Sequence, residues 1–352
     1  MTPSNKTITT VIPSFNRPDL IVRSINSVLN QTYPNVVAFI CDNSTNNQTK
    51  DLIETWMKTE PRIRYHKHAE NIGSYPNFNY GMEHVETDYF SFLSDDDILA
   101  PKFYEKALAA LEQHPDTIMA CMPTCVVYPD LTIKTQPITI AKTTYYPPGD
   151  AVEGLIAADI PATWTAILFR TKIREACGYL ATDVGPQSDG GFVYYAAAKF
   201  PIVSVPGLGA VLLGHDASTS GTVPPMSPQY AIWWDRMFKR IVADDEVPAD
   251  VREALAHPTH HDYKRIGKSQ AYRALVRGEY KFALEVASGL NDFGYHATSR
   301  FLRIMTQLFR FLPVRGVLVL MNIIRKRIHK FQARKLQQKN RQLLTFLEQY
   351  KA

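Results

Sequence analysis

The chain has few cysteines, no apolar run long enough to cross a bilayer, and neither of the common phosphate-binding glycine signatures. The four cysteines, Cys41, Cys121, Cys125 and Cys177, fit neither a zinc clamp nor a disulfide framework. They read as buried thiols in a reducing compartment. The longest apolar stretches fall short of the ~20 residues a spanning helix needs. No G-x-G-x-x-G follows the first strand and no G-x-x-x-x-G-K-[ST] occurs anywhere, which disfavours an ordinary dinucleotide site or a P-loop. The N-terminal residues are polar and lack the apolar centre of a signal peptide, so a cytoplasmic location is expected. Acids are scarce at one end. From Arg300 to Ala352 there are 13 Lys and Arg against one acid, Glu348, a net +12; the remainder is 26 − 33 = −7, in a chain of net +5. A basic tail on an acidic body predicts an anionic surface met by that end only.

What is present in the first half is an alternation. A β-branched run over 7–12 stops at a turn-rich loop, Pro13, Ser14, Phe15, Asn16, Arg17. Pro18 opens a helix predicted to reach residue 31, with Leu20, Ile21, Ile25, Val28 and Leu29 at helical spacing. Strands follow at 36–41, 63–66 and 89–93, and helices at 48–58 and 76–84. Strands alternating with helices imply a parallel sheet with right-handed crossovers. In such a sheet ligands bind beyond the carboxyl ends of the strands. Each unusual polar cluster follows a strand: Asn16 and Arg17 the first, Asp42 the second, Asn71 and Gly73 the third, Asp95, Asp96 and Asp97 the fourth. All four are expected on one edge.

The fourth cluster carries the chemistry. Three like charges at the end of an apolar strand repel one another. A hard divalent cation, Mn2+ or Mg2+, relieves that repulsion and keeps positions open for water or substrate phosphates. A solvated acidic turn capping the helix that starts near Pro101 is the plainer alternative, and the convergence of four strand-end clusters weighs against it.

The residues Val11 to Pro18, Asp42 to Ser44, Asn71 to Gly73 and Phe92 to Leu99 resemble, in order and spacing, the family 2 glycosyltransferases. The resemblance covers roughly the first 220 residues. It implies an α/β fold of the GT-A type, an αβα sandwich around a mostly parallel sheet, here followed by a helical C-terminal region. It implies a metal-dependent, inverting transfer from a nucleotide-sugar. Pro13, Ser14, Phe15, Asn16 and Arg17 would line the base with their backbone, and Asp42 would accept the imide N–H of uracil or thymine. Asn71 and Gly73 would approach the ribose and sugar. Asp95 and Asp97 match the Asp-x-Asp metal motif, with Asp97 the direct ligand and Asp96 beside the donor; Ser94 stands where many members carry another acid. Asp189, preceded by Ser188 rather than the frequent Glu, falls where the family has its catalytic base, at the head of a helix predicted over 192–199; an N-cap is its plainer role. His215 falls where many members have a His reaching metal or diphosphate, with a simple loop histidine as the alternative. Trp164 falls in the acceptor region, where an aromatic face suits a sugar ring and core packing serves a Trp equally well.

The last third changes character after Pro228. Helices are predicted over 230–242, 247–256, 263–277 and 280–290, and His257, His260 and His261 read as surface histidines. From Phe301 onward apolar residues interleave with Arg and Lys. That pattern suits a helix lying in the interface of an anionic membrane; packing on the body of the protein or on a second subunit, as a homo-oligomer, is the alternative. No base-reading or stacking motif supports nucleic-acid binding. The expected organisation is a nucleotide-sugar-binding catalytic domain over 1–225, a helical region over 226–299 and a basic amphipathic tail over 300–352. The expected partners are a nucleotide-sugar donor, a saccharide or lipid-linked acceptor, and the inner face of the plasma membrane. A non-catalytic nucleotide-sugar-binding subunit and a nucleotidyltransferase are the rivals; the latter would want an N-terminal glycine-rich phosphate loop.

Overall fold

The structure, a computed structural model, describes residues 6–128, 133–135, 137–185, 188–214, 228–256, 278–292 and 294–311, with 267–268, 270–272 and 274–275. Two compact units divide the chain: Met1–Asp183, Ser188–Gly214 and Asp244–Arg252 form the first, and Val184–Gln187, His215–Ala243 and Glu253–Ala352 the second. The strands are β1 (Ile8–Ser14), β2 (Val36–Asp42), β3 (Ile63–Lys67), β4 (Tyr89–Phe92), β5 (Ile98–Leu99), β6 (Met119–Cys121), β7 (Thr124–Val127), β8 (Ile133–Thr135), β9 (Thr144–Tyr146), β10 (Ile167–Arg170), β11 (Ile202–Ser204) and β12 (Ala210–Leu213). The helices are α1 (Pro18–Leu29), α2 (Gln48–Met57), α3 (Ser74–Glu83), α4 (Phe103–Gln113), α5 (Pro148–Ala157), α6 (Ile173–Cys177), α7 (Ser188–Lys199), α8 (Pro228–Val242), α9 (Ala249–Ala256), α10 (Tyr280–Asp292) and α11 (His296–Phe311).

Among the described residues an eight-stranded sheet has the order β3-β2-β1-β4-β10-β6-β11-β9, and a four-stranded sheet the order β5-β12-β7-β8. β1 to β4 are mutually parallel, and β10 enters antiparallel beside β4. The chain runs outward from β1 through β2 to β3, then returns to lay β4 on the other side of β1. That reversal is a topological switch point, where the rule for open sheets puts the ligand crevice, at the carboxyl ends of β1 and β4. Register levels the edge: Ser14 pairs with Asp42, and Asp42 with Lys67.

Side-chain alternation divides the strands between two faces. Ile8 and Ile12 share one core with Ile21, Ile25 and Val28 of α1 and with Phe103, Leu108 and Leu111 of α4. On β4, Phe90 and Phe92 instead join an aromatic cluster with Phe78 of α3, Phe169 of β10 and, through Phe169, Phe192 of α7. Burying each such ring contributes roughly 1.5–3 kcal/mol.

Helix α3 lies so close to the sheet that only glycine fits at position 81. A Cβ there would stand 2.2 Å from Val11 Cγ1 and 3.0 Å from Cys41 Sγ. Gly81→Ala is therefore expected to destabilise the fold by about 1–3 kcal/mol, through overpacking that outweighs the gain in helix propensity. Thermal unfolding checks this: a melting point at or above wild type would contradict the contact.

In the second unit α11 packs on α10. Leu302 is buried with Val286, Ala287 and Leu290, and Phe309 with Ala283. The expected helices at 230–242 and 280–290 are present as α8 and α10. The expected helix over 263–277, His257, His260, His261 and the tail beyond residue 311 lie, in part or whole, outside the described residues.

Candidate active site

The loops after the first three strands are stitched together by side-chain amides. Asn16 adopts φ 54°, a left-handed conformation that Asn tolerates better than most residues. Its backbone N–H donates to Ser44 Oγ at 2.8 Å, and its Oδ1 accepts from the Thr45 N–H at 3.0 Å. The Asn43 N–H donates to the Ser14 carbonyl. Asn43 Nδ2 donates to Asn71 Oδ1 at 2.8 Å and to the Gly73 carbonyl at 3.0 Å, while its Oδ1 accepts from the Ile72 N–H at 3.0 Å. Gly73, at φ 91°, precedes α3 with its N–H on Asn71 Oδ1. Asn43 thus holds the third loop against the second.

Arg17 joins the first loop to the fourth. Its Nη1 lies 3.1 Å from Asp95 Oδ1 and 2.9 Å from Asp96 Oδ2, and the Phe15 N–H donates to Asp95 Oδ2 at 3.3 Å. Asp97 has different partners: its Oδ1 accepts from the Leu213 N–H at 3.1 Å and its Oδ2 from the Thr165 hydroxyl at 3.3 Å. Ser24 of α1 donates to the Asp97 carbonyl. All three acids are buried. Burial and the neighbouring Asp96 push Asp95 up to about 6, against the pull of Arg17. The same two causes raise Asp97 well above the usual carboxylate range. Arg23 of α1 also feels Asp96 and Asp97, and its buried Nε and Nη2 have no hydrogen-bond partner.

This donor set fits a hard cation: crowded carboxylates whose ionised forms are penalised by each other and by burial. Among the described residues no group of three or more His, Cys, Asp or Glu is arranged to hold a metal by itself, so further positions would be filled by water and diphosphate oxygens. His215 lies outside the described residues.

Asp42 is fully buried at the end of β2. Its Oδ1 accepts from the Ser44 N–H at 2.8 Å and its Oδ2 from the Tyr65 hydroxyl at 2.7 Å, with Lys67 Nζ at 3.5 Å. Burial and Asp42 together hold the Tyr65 phenol in its protonated form. A carboxylate oxygen carries two lone pairs, so acceptor capacity remains at Asp42 for a base.

Asp189 sits in the first turn of α7, which begins at Ser188 rather than at the expected residue 192. Gly190 and Gly191 each weaken a helix by about 1 kcal/mol, which masked the true start in the sequence. The Ser188 hydroxyl, donating to the Ala181 carbonyl at 2.6 Å, anchors that turn. Asp189 is half-buried, and its Oδ1 accepts from the Gly190 N–H at 2.7 Å. Burial raises its pKa, and this N–H opposes the rise. Tyr75 of α3 lies within electrostatic reach of it. Asn79, one turn further along α3, pairs doubly with the backbone of Leu180 and so fixes the segment leading to α7.

Trp164, in a short 3-10 turn, is half-buried, with its ring 4.3 Å from Phe78 and 4.7 Å from Phe92, centroid to centroid. It closes the aromatic cluster at the edge where the fourth-strand acids begin. Arg23, Asn43, Thr165 and Leu213 carried no expected role. Asn43 left a signal in the sequence, because it lies within the Asp42 to Ser44 motif.

The chain resembles the GalNAc(5)-diNAcBac-PP-undecaprenol beta-1,3-glucosyltransferase of Campylobacter jejuni, 28% identical over 93 residues, 26% of this chain and 30% of that protein. The match spans between 15% and 43% of the length of the curated relatives. Among solved structures, S. aureus TarS 1-349 in complex with UDP-GlcNAc superposes with a TM-score of 0.63 at 13% identity, covering 90% of this chain and 89% of that one. The mannosyltransferase PcManGT from Pyrobaculum calidifontis, in complex with GDP-Man and Mn2+, gives 0.53 at 14%, covering 95% and 87%. These likenesses show an α/β fold of the GT-A type with a helical C-terminal region. Residues 9–171, which hold the stitched loops, the acid cluster and Trp164, match the family model for glycosyl transferase family 2.

Proposed function

We propose that the protein is a family 2 glycosyltransferase that moves a sugar from a UDP- or dTDP-sugar to a hydroxyl of a saccharide or lipid-linked acceptor, with inversion, in bacterial surface polysaccharide assembly. The observation that carries the reading is the convergence of four strand-end loops at the β1/β4 crevice, tied by Asn43 and Arg17 around buried, charge-crowded acids. The relative from C. jejuni, by its name, acts on an undecaprenol-diphosphate-linked saccharide. An acceptor of that class would be met at the inner face of the plasma membrane.

In the proposed reaction the acceptor hydroxyl oxygen attacks the anomeric carbon, the bond from that carbon to the diphosphate oxygen breaks, and the hydroxyl proton passes to Asp189. A base opposite the leaving group makes one in-line displacement, which inverts configuration. Asp42 and the 13–17 loop hold the base; Asn71 and Gly73 hold ribose and sugar. Asp95 and Asp97 would hold a divalent cation, which supplies charge neutralisation for the departing diphosphate. Arg23 brings two unpartnered donors to the same neighbourhood. Trp164 offers its remaining face to the acceptor.

Thermal stability with UDP, dTDP, GDP and ATP, each with and without Mn2+, tests the donor site. A ligand at ~100 times its dissociation constant adds roughly 2.7 kcal/mol. The expected result is a rise with UDP or dTDP that needs the metal. A rise with ATP alone would favour nucleotidyl transfer. Nucleotide-sugar binding without turnover would favour a binding subunit. No rise with any pyrimidine diphosphate would remove the basis of the reading.

A further inference from the structure

Helix α11 has two apolar faces, and among the described residues one of them is buried and the other exposed. Leu302, Thr306 and Phe309 are buried. On another stripe of the same helix Phe301, Ile304 and Leu308 are 58%, 52% and 46% exposed. Their spacing of three and four residues puts them on one line along the axis. Arg300, Arg303 and Arg310 stand on the same helix, which contains no Asp or Glu. Large exposed apolar side chains bordered by cations mark a contact surface rather than a solvated one.

We propose that this stripe of α11 docks onto an anionic lipid bilayer, lying in the interface plane. Charge selects the occupant. The chain from Arg300 to its last residue carries 13 Lys and Arg and one acid. A second copy would bring the same +12 against it. The chain's own residues after 311 hold ten of those 13 cations, so folding them onto the stripe would add like charge to Arg300, Arg303 and Arg310. Anionic headgroups take up both the apolar stripe and the charge. No described helix is long and apolar enough to cross a membrane. The inference deepens the proposed function and rests on it for its purpose, since a lipid-linked acceptor is met at a bilayer.

The test is flotation of the full-length protein with phosphatidylcholine vesicles, with and without phosphatidylglycerol, at low and high salt. Binding is expected only with phosphatidylglycerol, weakening with salt. The triple variant Phe301→Ser, Ile304→Ser, Leu308→Ser is expected to bind at least about tenfold more weakly. Arg300→Gln with Arg310→Gln is expected to reduce the salt dependence and leaves the apolar stripe intact, which guards against a triple variant that misfolds. The UDP–Mn2+ stability shift, run on the same variants, is expected to be unchanged, so loss of the donor site and loss of docking read separately. Wild-type indifference to phosphatidylglycerol, or equal binding by a folded triple variant, would overturn the proposal. Self-association in sedimentation that the triple variant abolishes would assign the stripe to a second copy instead.

Discussion

Replacing Asp189 by Asn is expected to cut transfer by about 10²–10⁴-fold while leaving nucleoside diphosphate affinity unchanged. The loss follows from its proposed role: an acceptor hydroxyl is a poor nucleophile near neutral pH, and an amide cannot take its proton. The environment supplies a second signature. Burial raises the Asp189 pKa, with the Gly190 N–H opposing. A base must be ionised to work, so turnover falls as pH drops through the folded pKa, and the acid limb of the rate profile sits above the ordinary carboxylate range. Stability runs the other way. A carboxyl whose folded pKa is raised contributes stability below its unfolded pKa, and that contribution is lost as pH rises through the folded value. Above that value the ionised group is a burden on the fold, and Asn removes it. The variant should therefore melt no lower than wild type at neutral pH while being inactive. Steady-state rates, nucleotide titration and thermal melts on one preparation check all three. Near-normal turnover would end the assignment of Asp189 as base.

The first half of the fold was readable because its signals are local. β1 was expected over 7–12 and is Ile8–Ser14; α1 was expected over 18–31 and is Pro18–Leu29. β-branched runs, Pro18 at the helix start and Tyr33-Pro34 after its end act within a few residues. The order of the sheet is not local. Nothing in Ile167–Arg170 announces that β10 will insert antiparallel between β4 and β6. The strands of the smaller sheet are two to four residues long, too short for alternation to register. The site divides the same way. The residues in the strand-end motifs were legible one cluster at a time, but the contacts that shape them were not. Thr165 and Leu213 reach Asp97 across 68 and 116 residues. Arg17, whose backbone is expected to line a base, places its guanidinium on Asp95 and Asp96. Only the folded chain brings these pairs within hydrogen-bond distance.

Replacing Asp97 by Asn is expected to abolish the metal-dependent part of diphosphate binding and to slow transfer by about 10²–10³-fold, since cation stabilisation of the leaving group is worth several kcal/mol. Asn is the informative replacement. It keeps an acceptor oxygen for the Leu213 N–H, and its amide can donate to the Thr165 hydroxyl, so both anchoring contacts survive. It also removes the charge that faces Asp96 in a buried site. Without metal or nucleotide the variant should therefore melt at or above the wild-type temperature. With UDP and Mn2+ together, wild type should gain stability and the variant should not. The equivalent change at Asp95 acts in the same direction, because burial and Asp96 outweigh the pull of Arg17 on its charge. Asp95→Asn keeps an acceptor oxygen for Arg17, so without ligand it too should melt at or above the wild-type temperature. With UDP and Mn2+ the two variants together test whether both carboxylates hold the cation. If the Asp97 variant kept the full UDP–Mn2+ stability gain, the cation would have to be held elsewhere, and the acids would serve to position Arg17 instead.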